Sequence, residues 1–293
     1  WGMQKRMLKL PETLKAAIGR TVIAEDVVTA APVAGLMAAF GADDPKPRAG
    51  DQLPQLWHGL FCTAKLPPAR LAEDGLAKDE KLLPAAPEFP KKLVGGARFE
   101  FRKPLRIGDR IRKCSEVVSF DTKEGNSGLF ILGRVQHRIS TSEGLAVIEE
   151  NDIIYRPAGA YPPMKRPGEN PTTSAPLDPQ WSVKLTPDPV LMFRHSALTF
   201  NSHRIHYDRD FAREKGYPGL VVQGTLIARL MLDMLTNRLP DFEVSAFSFR
   251  SRRPIYDNGD FNICAAPEGE NVSLWVIDNS GHVGMTAHAA GAG

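Results

Sequence analysis

The 293-residue chain is short of cysteine, of charge of one sign and of long apolar runs, and each shortage removes a class of protein. Its three cysteines, Cys62, Cys114 and Cys264, lie far apart with no CxxC pair. That spacing argues against a disulfide framework and for reduced thiols packed inside an intracellular protein. Lysine and arginine number 37 against 34 aspartate and glutamate, a net charge of +3 without a basic stripe or tail, so nucleic acid is not an expected partner. No apolar run reaches the ~18 residues that read as a membrane span. The opening WGMQKRMLKL also lacks the apolar core of a signal peptide. These absences predict a soluble protein of the cytoplasm, or of the mitochondrial matrix if eukaryotic, with no membrane partner.

What is present is a repeat. FEFRKPLRIGD (99–109) and FSFRSRRPIYDNGD (247–260) share an FxFR core 148 residues apart, and both run through Pro to a Gly-Asp turn signal. After each copy come two strand-like runs: SGLFILGRVQHRIS with EGLAVIEENDIIY in the first, and VSLWVIDNSGHVGMTAHAAG, turning at Asn279-Ser280-Gly281, in the second. Between the copies, residues 157–180 are dense in Pro and small polar residues and read as an extended linker. The expected organisation is therefore 1–156, the linker 157–180, and 181–293.

Each half is expected to hold one apolar helix followed by long strands. In the second half that helix is GTLIARLMLDMLTNRL (224–239), where Leu226, Ile227, Leu230, Met231, Met234 and Leu235 recur at helical spacing. A helix this apolar next to an antiparallel sheet should be wrapped by it. The fold class is α+β: two such units in one chain, forming an internal pseudo-dimer.

The chemistry concentrates in TFNSHRIHYDRDFA (199–212), where His203 and His206 stand three residues apart. Zinc would need a third ligand, and no HExxH, clustered Cys or carboxylate partner accompanies the pair, so no metal is expected. A plainer reading has Asn201 or Ser202 capping a helix, with Asp208 as a further solvated cap. The next segment, GYPGLVVQG (216–224), reads as a glycine-punctuated strand entering the apolar helix. Gly224 would present a bare backbone N–H at a helix start, where the dipole favours developing negative charge. An imidazole base beside such a donor suits enolate chemistry next to a carbonyl.

Phe200-Asn201-Ser202-His203-Arg204-Ile205-His206, five residues and Ala212, then Val222-Gln223-Gly224, resembles the motif of the MaoC-like (R)-specific enoyl-thioester hydratases and dehydratases. That family reads Gly-Asp-x-Asn-Pro-Leu-His, five residues, Ala, and then Val-His-Gly. PQLWHGLF, LVGGARFEFRKPLRIGD and GLAVIEENDIIYRP extend the likeness through the first half, toward the hydroxyacyl-thioester dehydratases of type 2 and hydratases of mesaconyl-, itaconyl- or methylfumaryl-CoA. The resemblance implies two tandem hot-dog folds, the first degenerate, and reversible hydration of a 2-enoyl-CoA. A short carboxylated acyl group is the expected substrate, with no cofactor beyond the CoA of the substrate itself. It implies His206 as base, with Asn201 in place of the acidic residue and the Gly224 N–H as oxyanion donor. His203 and Gln223 would then line the substrate.

Arg250 and Arg253 suit a terminal carboxylate or the CoA phosphates, because guanidinium forks match both; Arg252, Lys91, Lys92 and Arg98 belong to the same set. In the first half, GADDP (41–45) and Trp57-His58-Gly59 echo the two motif elements, leaving His58 as a substrate contact or a packing residue. A dehydratase of fatty acid synthesis working on hydroxyacyl-ACP, a thioesterase and a non-catalytic acyl-CoA sensor remain rival readings. The chain is expected as a monomeric pseudo-dimer or a homodimer.

Overall fold

The computed structural model describes residues 9–78, 80–125, 128–157 and 178–292. Most of the Pro-rich stretch expected as a linker lies outside them. Ten strands form one antiparallel sheet: β1 (Thr21–Val27), β2 (Lys91–Phe101), β3 (Arg110–Gly125), β4 (Gly128–Thr141), β5 (Gly144–Arg156), β6 (Trp181–Leu185), β7 (Val244–Ser251), β8 (Phe261–Glu268), β9 (Asn271–Ile277) and β10 (Val283–Gly291). The helices are α1 (Glu12–Lys15), α2 (Ala30–Ala39), α3 (Pro189–Leu198), α4 (Arg209–Glu214) and α5 (Gly224–Arg238).

The strand order is β1-β3-β4-β5-β2-β7-β10-β9-β8-β6. Outward from the middle, β2-β5-β4-β3-β1 and β7-β10-β9-β8-β6 are the same sequence of strands written twice. The seam is the pairing of the two FxFR segments, with Phe99 opposite Phe247 and Ala97 opposite Phe249. Phe99 thus faces its own repeat equivalent, and a pseudo-two-fold axis passes between them. Phe99 lies 6.3 Å, ring to ring, from both Phe247 and Phe249. The strands approach this closely because Gly96 has no side chain: a Cβ there would sit 2.5 Å from the Phe249 carbonyl oxygen.

Helix α5 supplies the main core. Leu226, Ile227, Met231, Leu232, Met234 and Leu235 are buried against Phe247, Phe249, Phe261, Ile263, Leu274 and Val276 of the second-half strands, with Ala97 and Phe99 reaching in from the first. Full burial of such a side chain is worth about 1.5–3 kcal/mol each, so this helix is the mainstay of the fold. The expected apolar stripe is corrected at two positions. Leu230 is only partly buried, while Arg229 is 4% exposed and turned inward.

The first half holds an apolar helix ahead of its long strands, as expected, but a shorter one than α5. Its helix is α2, which follows β1 as α3 follows β6, and α2 packs on α3. Among the described residues no counterpart of α5 exists; residues 57–90 hold only the 3₁₀ turns Trp57–Leu60 and Pro68–Arg70. Pro67, Pro68, Pro84, Pro87 and Pro90 punctuate that stretch and deny it a long helix. All three cysteines are free, but only Cys264 is fully buried; Cys62 and Cys114 are half-buried, against the expectation of packed thiols. Among the described residues no helix is long and apolar enough to cross a membrane.

Candidate active site

The histidine-bearing loop begins where α3 ends. Phe200 has φ +54°, the left-handed region. The Phe200 N–H donates to Ala197 O (3.3 Å) and the Asn201 N–H to Ser196 O (2.8 Å), the paired bonds of a Schellman stop. Glycine is the usual residue for this conformation, and the hydratase pattern has Gly where this chain has Phe200. The backbone demand has survived the loss of the residue that meets it most cheaply.

Asn201 then folds the turn: its Oδ1 accepts the His203 N–H at 3.1 Å. The loop is clamped from the first half. Ser202 Oγ donates to Gly75 O (2.5 Å), and the Arg204 N–H donates to Asp74 O (2.8 Å). The family's Pro at position 204 would have no N–H to give, so the departure from the pattern is matched by this cross-half bond. The Arg204 guanidinium reaches Asp208 at 2.8 Å and lies 4.3 Å over the Phe211 ring. Asp208 is a helix cap, accepting the Phe211 N–H at the start of α4.

His206 closes a 3₁₀ turn, Arg204–His206, and is 9% exposed. Its Nδ1 lies 2.7 Å from Val221 O. A carbonyl only accepts, so Nδ1 carries the proton and Nε2 is left with its lone pair. Burial pushes the imidazole down to about 4, with the Val221 bond opposing and His203 adding to the effect; the ring is neutral at pH 7. His203 is also lowered by burial, and its ring stands edge-on to His206 at 5.5 Å between centroids. Among the described residues no third group completes a metal-ligand set around the two rings.

Residues 216–224 were expected as a strand, but only an isolated bridge between Val221 and Tyr256 forms. Specific bonds hold the segment instead. The Val221 N–H donates to Ile205 O and the Val222 N–H to Ile255 O, both at 2.9 Å. The Leu220 N–H donates to the buried Asp257 carboxylate, which also pairs with Arg209. The segment delivers Gln223 as the N-cap of α5 and Gly224 as its first residue. Gln223 Nε2 donates to Met192 O (2.9 Å) and Ser196 Oγ (2.8 Å), leaving its buried Oε1 without a protein partner. At Gly224 a Cβ would meet only Met285 at 3.5 Å and Ser251 at 3.8 Å, so the protein does not itself require glycine there. First-turn N–H groups lack intrahelical acceptors, and a bare Cα leaves them approachable.

Ser251 ends β7 beside Gly224, with Arg250 directly before it and Arg253 two residues after it in the chain. Arg250 is exposed and Arg253 half-buried, and neither has a carboxylate partner among the described residues. Arg98 and Lys92, by contrast, are engaged: Arg98 with Glu150 and Asp152, Lys92 with Glu80. His58 lies elsewhere, buried against Phe99, with Nε2 3.1 Å from Glu149 Oε2. Burial works to raise the Glu149 carboxyl, but the His58 bond and the charge of Lys113 hold it well below the usual range.

The sequence pointed to none of three further groups. His195 of α3 is 0% exposed, Arg229 of α5 is bonded to it, and Glu149 is buried beside His58. The one available signal was an arginine at position 229 inside the apolar arc of α5.

Residues 56–257 match the family model described as hydroxyacyl-thioester dehydratase type 2. The chain is 37% identical over 276 residues to the mesaconyl-C(4)-CoA hydratase of Chloroflexus aurantiacus, covering 94% of this chain and 95% of that one. It is 26% identical over 244 residues to the mitochondrial hydroxyacyl-thioester dehydratase type 2 of Schizosaccharomyces pombe, covering 75% and 79%. A Mycobacterium tuberculosis protein solved as a double hot-dog fold superposes with a TM-score of 0.55 at 14% identity, covering 93% of this chain and 94% of that one. The chain is a double hot-dog protein and belongs to the hydroxyacyl-thioester dehydratase type 2 family.

Proposed function

We propose that the chain adds water reversibly across the double bond of a 2-enoyl-CoA, with a short carboxylated acyl group as substrate. The observation that carries this reading is the fixed tautomer of His206. Its Nδ1–H is spent on Val221 O, so the neutral Nε2 of a buried ring is left with its lone pair as a base.

In the proposed reaction the thioester carbonyl oxygen accepts from the Gly224 N–H. His206 Nε2 takes a proton from water as the water oxygen bonds to C3, and the C2–C3 π electrons move into the enolate. The enolate and the imidazolium form together, so each supplies the counter-charge the other needs in a buried site. His206 then returns the proton to C2. Asn201 cannot take a proton and its Oδ1 already holds the turn, so its Nδ2–H is what remains to orient the water. Gln223 Oε1 is the buried acceptor for the water's second hydrogen. His203 shapes the wall, and Arg250 and Arg253 meet the CoA phosphates.

The first half, 1–156, acts in this reading as a non-catalytic unit that buttresses the loop, and 181–293 as the catalytic unit. The internal pairing makes a monomeric pseudo-dimer sufficient. The short carboxylated substrate is supported by the 37% relative, since mesaconic acid is a diacid and its monothioester keeps a free carboxylate. Dehydration of a hydroxyacyl thioester is the same reaction in reverse, and the fission-yeast relative supports it as the second reading.

The test is loss of enoyl absorbance with crotonyl-, mesaconyl-C4- and itaconyl-CoA. Wild type turns over at least one of them, and His206→Ala costs about 10²–10⁴ in kcat, the range for one general acid–base group. Release of free CoA thiol would mark a thioesterase, and binding without turnover a sensor.

A further inference from the structure

Two buried groups take no part in the proposed chemistry and are left chemically unfinished. Arg229 is 4% exposed, and its partners are neutral. Nη1 lies 2.5 Å from His195 Nε2, while Nε and Nη2 reach Leu56 O at 3.2 and 3.1 Å. Among the described residues no carboxylate lies within ion-pair distance of it. Glu149 acts on it only through space, and is itself bonded to His58 and to Asn151 (2.8 Å). A guanidinium remains charged at pH 7, and a buried charge without a contacting counter-ion is costly to keep.

His195 is the second group. A guanidinium only donates, so His195 Nε2 is the accepting nitrogen and the ring proton is on Nδ1. That Nδ1–H is fully buried and has no acceptor among the described residues. Donation from a cation into the far side of the ring polarises it and strengthens Nδ1–H as a donor. The ring cannot escape the mismatch by ionising, since burial first and Arg229 second push it down to about 2.

The surroundings are built to hold this pair. Leu56, whose carbonyl takes two of the arginine's bonds, sits at φ +66°, a strained conformation for leucine. A Cβ on Gly59 would lie 2.6 Å from Nη2, so glycine makes the room for the guanidinium. The pair also adjoins the catalytic loop. On α3, Ser196 follows His195 directly and bonds both Gln223 and the Asn201 N–H. Arg229 lies five residues beyond Gly224, about 7.5 Å along the helix axis, comparable with the length of a four-carbon diacid.

We infer that His195 and Arg229 form the subsite for a free carboxylate on the acyl group, with His195 Nδ1–H as the direct donor and Arg229 as the charge behind it. The inference rests on the hydration reading and deepens it: it makes this pair the determinant of substrate class, and leaves Arg250 and Arg253 to the CoA moiety.

The first arm of the test uses wild-type protein and needs no catalysis. Succinyl-CoA and butyryl-CoA, saturated thioesters with and without a carboxylate, are compared by calorimetric titration. Succinyl-CoA should bind about 10–100-fold more tightly, the span for a hydrogen bond to a charged group. Equal affinity overturns the subsite. The second arm compares kcat/KM for mesaconyl-C4-CoA and crotonyl-CoA. His195→Phe should lower the ratio of the two about 10–100-fold, mainly through KM. His195→Gln, which can both accept from Arg229 and donate onward, should restore part of it. Equal losses on both substrates would assign the orphan donor to a structural water and sink the proposal. So would a collapse of the ratio in Arg253→Ala but not in His195→Phe. If wild type hydrates neither substrate but still prefers succinyl-CoA, the hydration reading fails and the subsite stands.

Discussion

At the scale of single residues, the site depends on histidines that the fold keeps neutral. Burial is the leading cause in each case: it pushes His206 down to about 4 and His195 to about 2. It does the same to His137, which lies outside the site on β4 beside Ser115 and is pushed down to about 4. The ordinary value is about 6.5. Between those limits the unfolded chain binds protons that the folded chain refuses, so stability rises with pH there. The contribution is complete above about 6.5 and is lost as pH falls toward 4. Two outcomes follow for solution work. The melting temperature should fall steadily from pH 7 to pH 5. The acid limb of kcat/KM, which reports free-enzyme groups, should show no inflection near 6.5 and should turn down only in the range where His206 titrates. An inflection between 6 and 7 would mean that His206 is solvated in the working enzyme, and the buried-base account would fail.

At the scale of elements, the decisive contact is between the loop at Glu73–Gly75 and the turn at Asn201–His206. Three bonds join them: Ser202 Oγ to Gly75 O, the Arg204 N–H to Asp74 O and Arg204 Nη1 to Glu73 O. Gly75 has φ +85°, and a Cβ there would lie 1.9 Å from the Ser202 carbonyl oxygen. A backbone atom on the far side cannot step aside as a flexible side chain would. Gly75→Ala must therefore push the turn that carries His206. We expect kcat to fall by at least ~10-fold, since small misplacements of reacting groups carry large rate costs. Circular dichroism should remain native, because no buried apolar side chain is lost. A variant with wild-type kcat would show that the first half does not hold the loop in register.

This contact also marks where the sequence stopped being informative. The FxFR repeat predicted two like units in one chain, and the structure adds that its two copies pair at the seam of the sheet; the 3.6 period gave α5 to within one residue of its end. Local spacing carried the turn at Asn201–His206, and His206 is bonded to Val221, three residues before Gly224 opens α5. The docking of Gly75 on Ser202 spans 127 residues, and that of Arg229 on Leu56 spans 173. No periodicity encodes contacts at such separations. Arg229 was missed because a long polar side chain inside an apolar arc reads as surface. The first half meets the expected apolar helix with α2, and Pro67, Pro68 and their followers deny residues 57–90 a second, longer one like α5.

At the scale of the whole molecule, the two halves share one sheet and one cluster of aromatic rings. Phe99 and Ala97 of the first half are packed in the same core as α5, and Phe247 opposite them is 1% exposed. The loop that carries His206, moreover, takes three of its bonds from the first half. Neither half can present its seam strand to water without exposing an unpaired sheet edge and a row of phenylalanines. The halves should therefore unfold together, despite the internal repeat. In urea, tryptophan fluorescence, with buried Trp57 in one half and Trp275 in the other, should follow the same curve as far-UV circular dichroism. Phe247→Ala should lower stability by about 3–5 kcal/mol, the cost of emptying a phenylalanine site in a packed core, and shift that single transition to lower denaturant with both probes still coincident. Two separated transitions, with only one moved by the substitution, would mean that the seam joins two independently stable units. The first half would then be a passive attachment, with no structural part in the site.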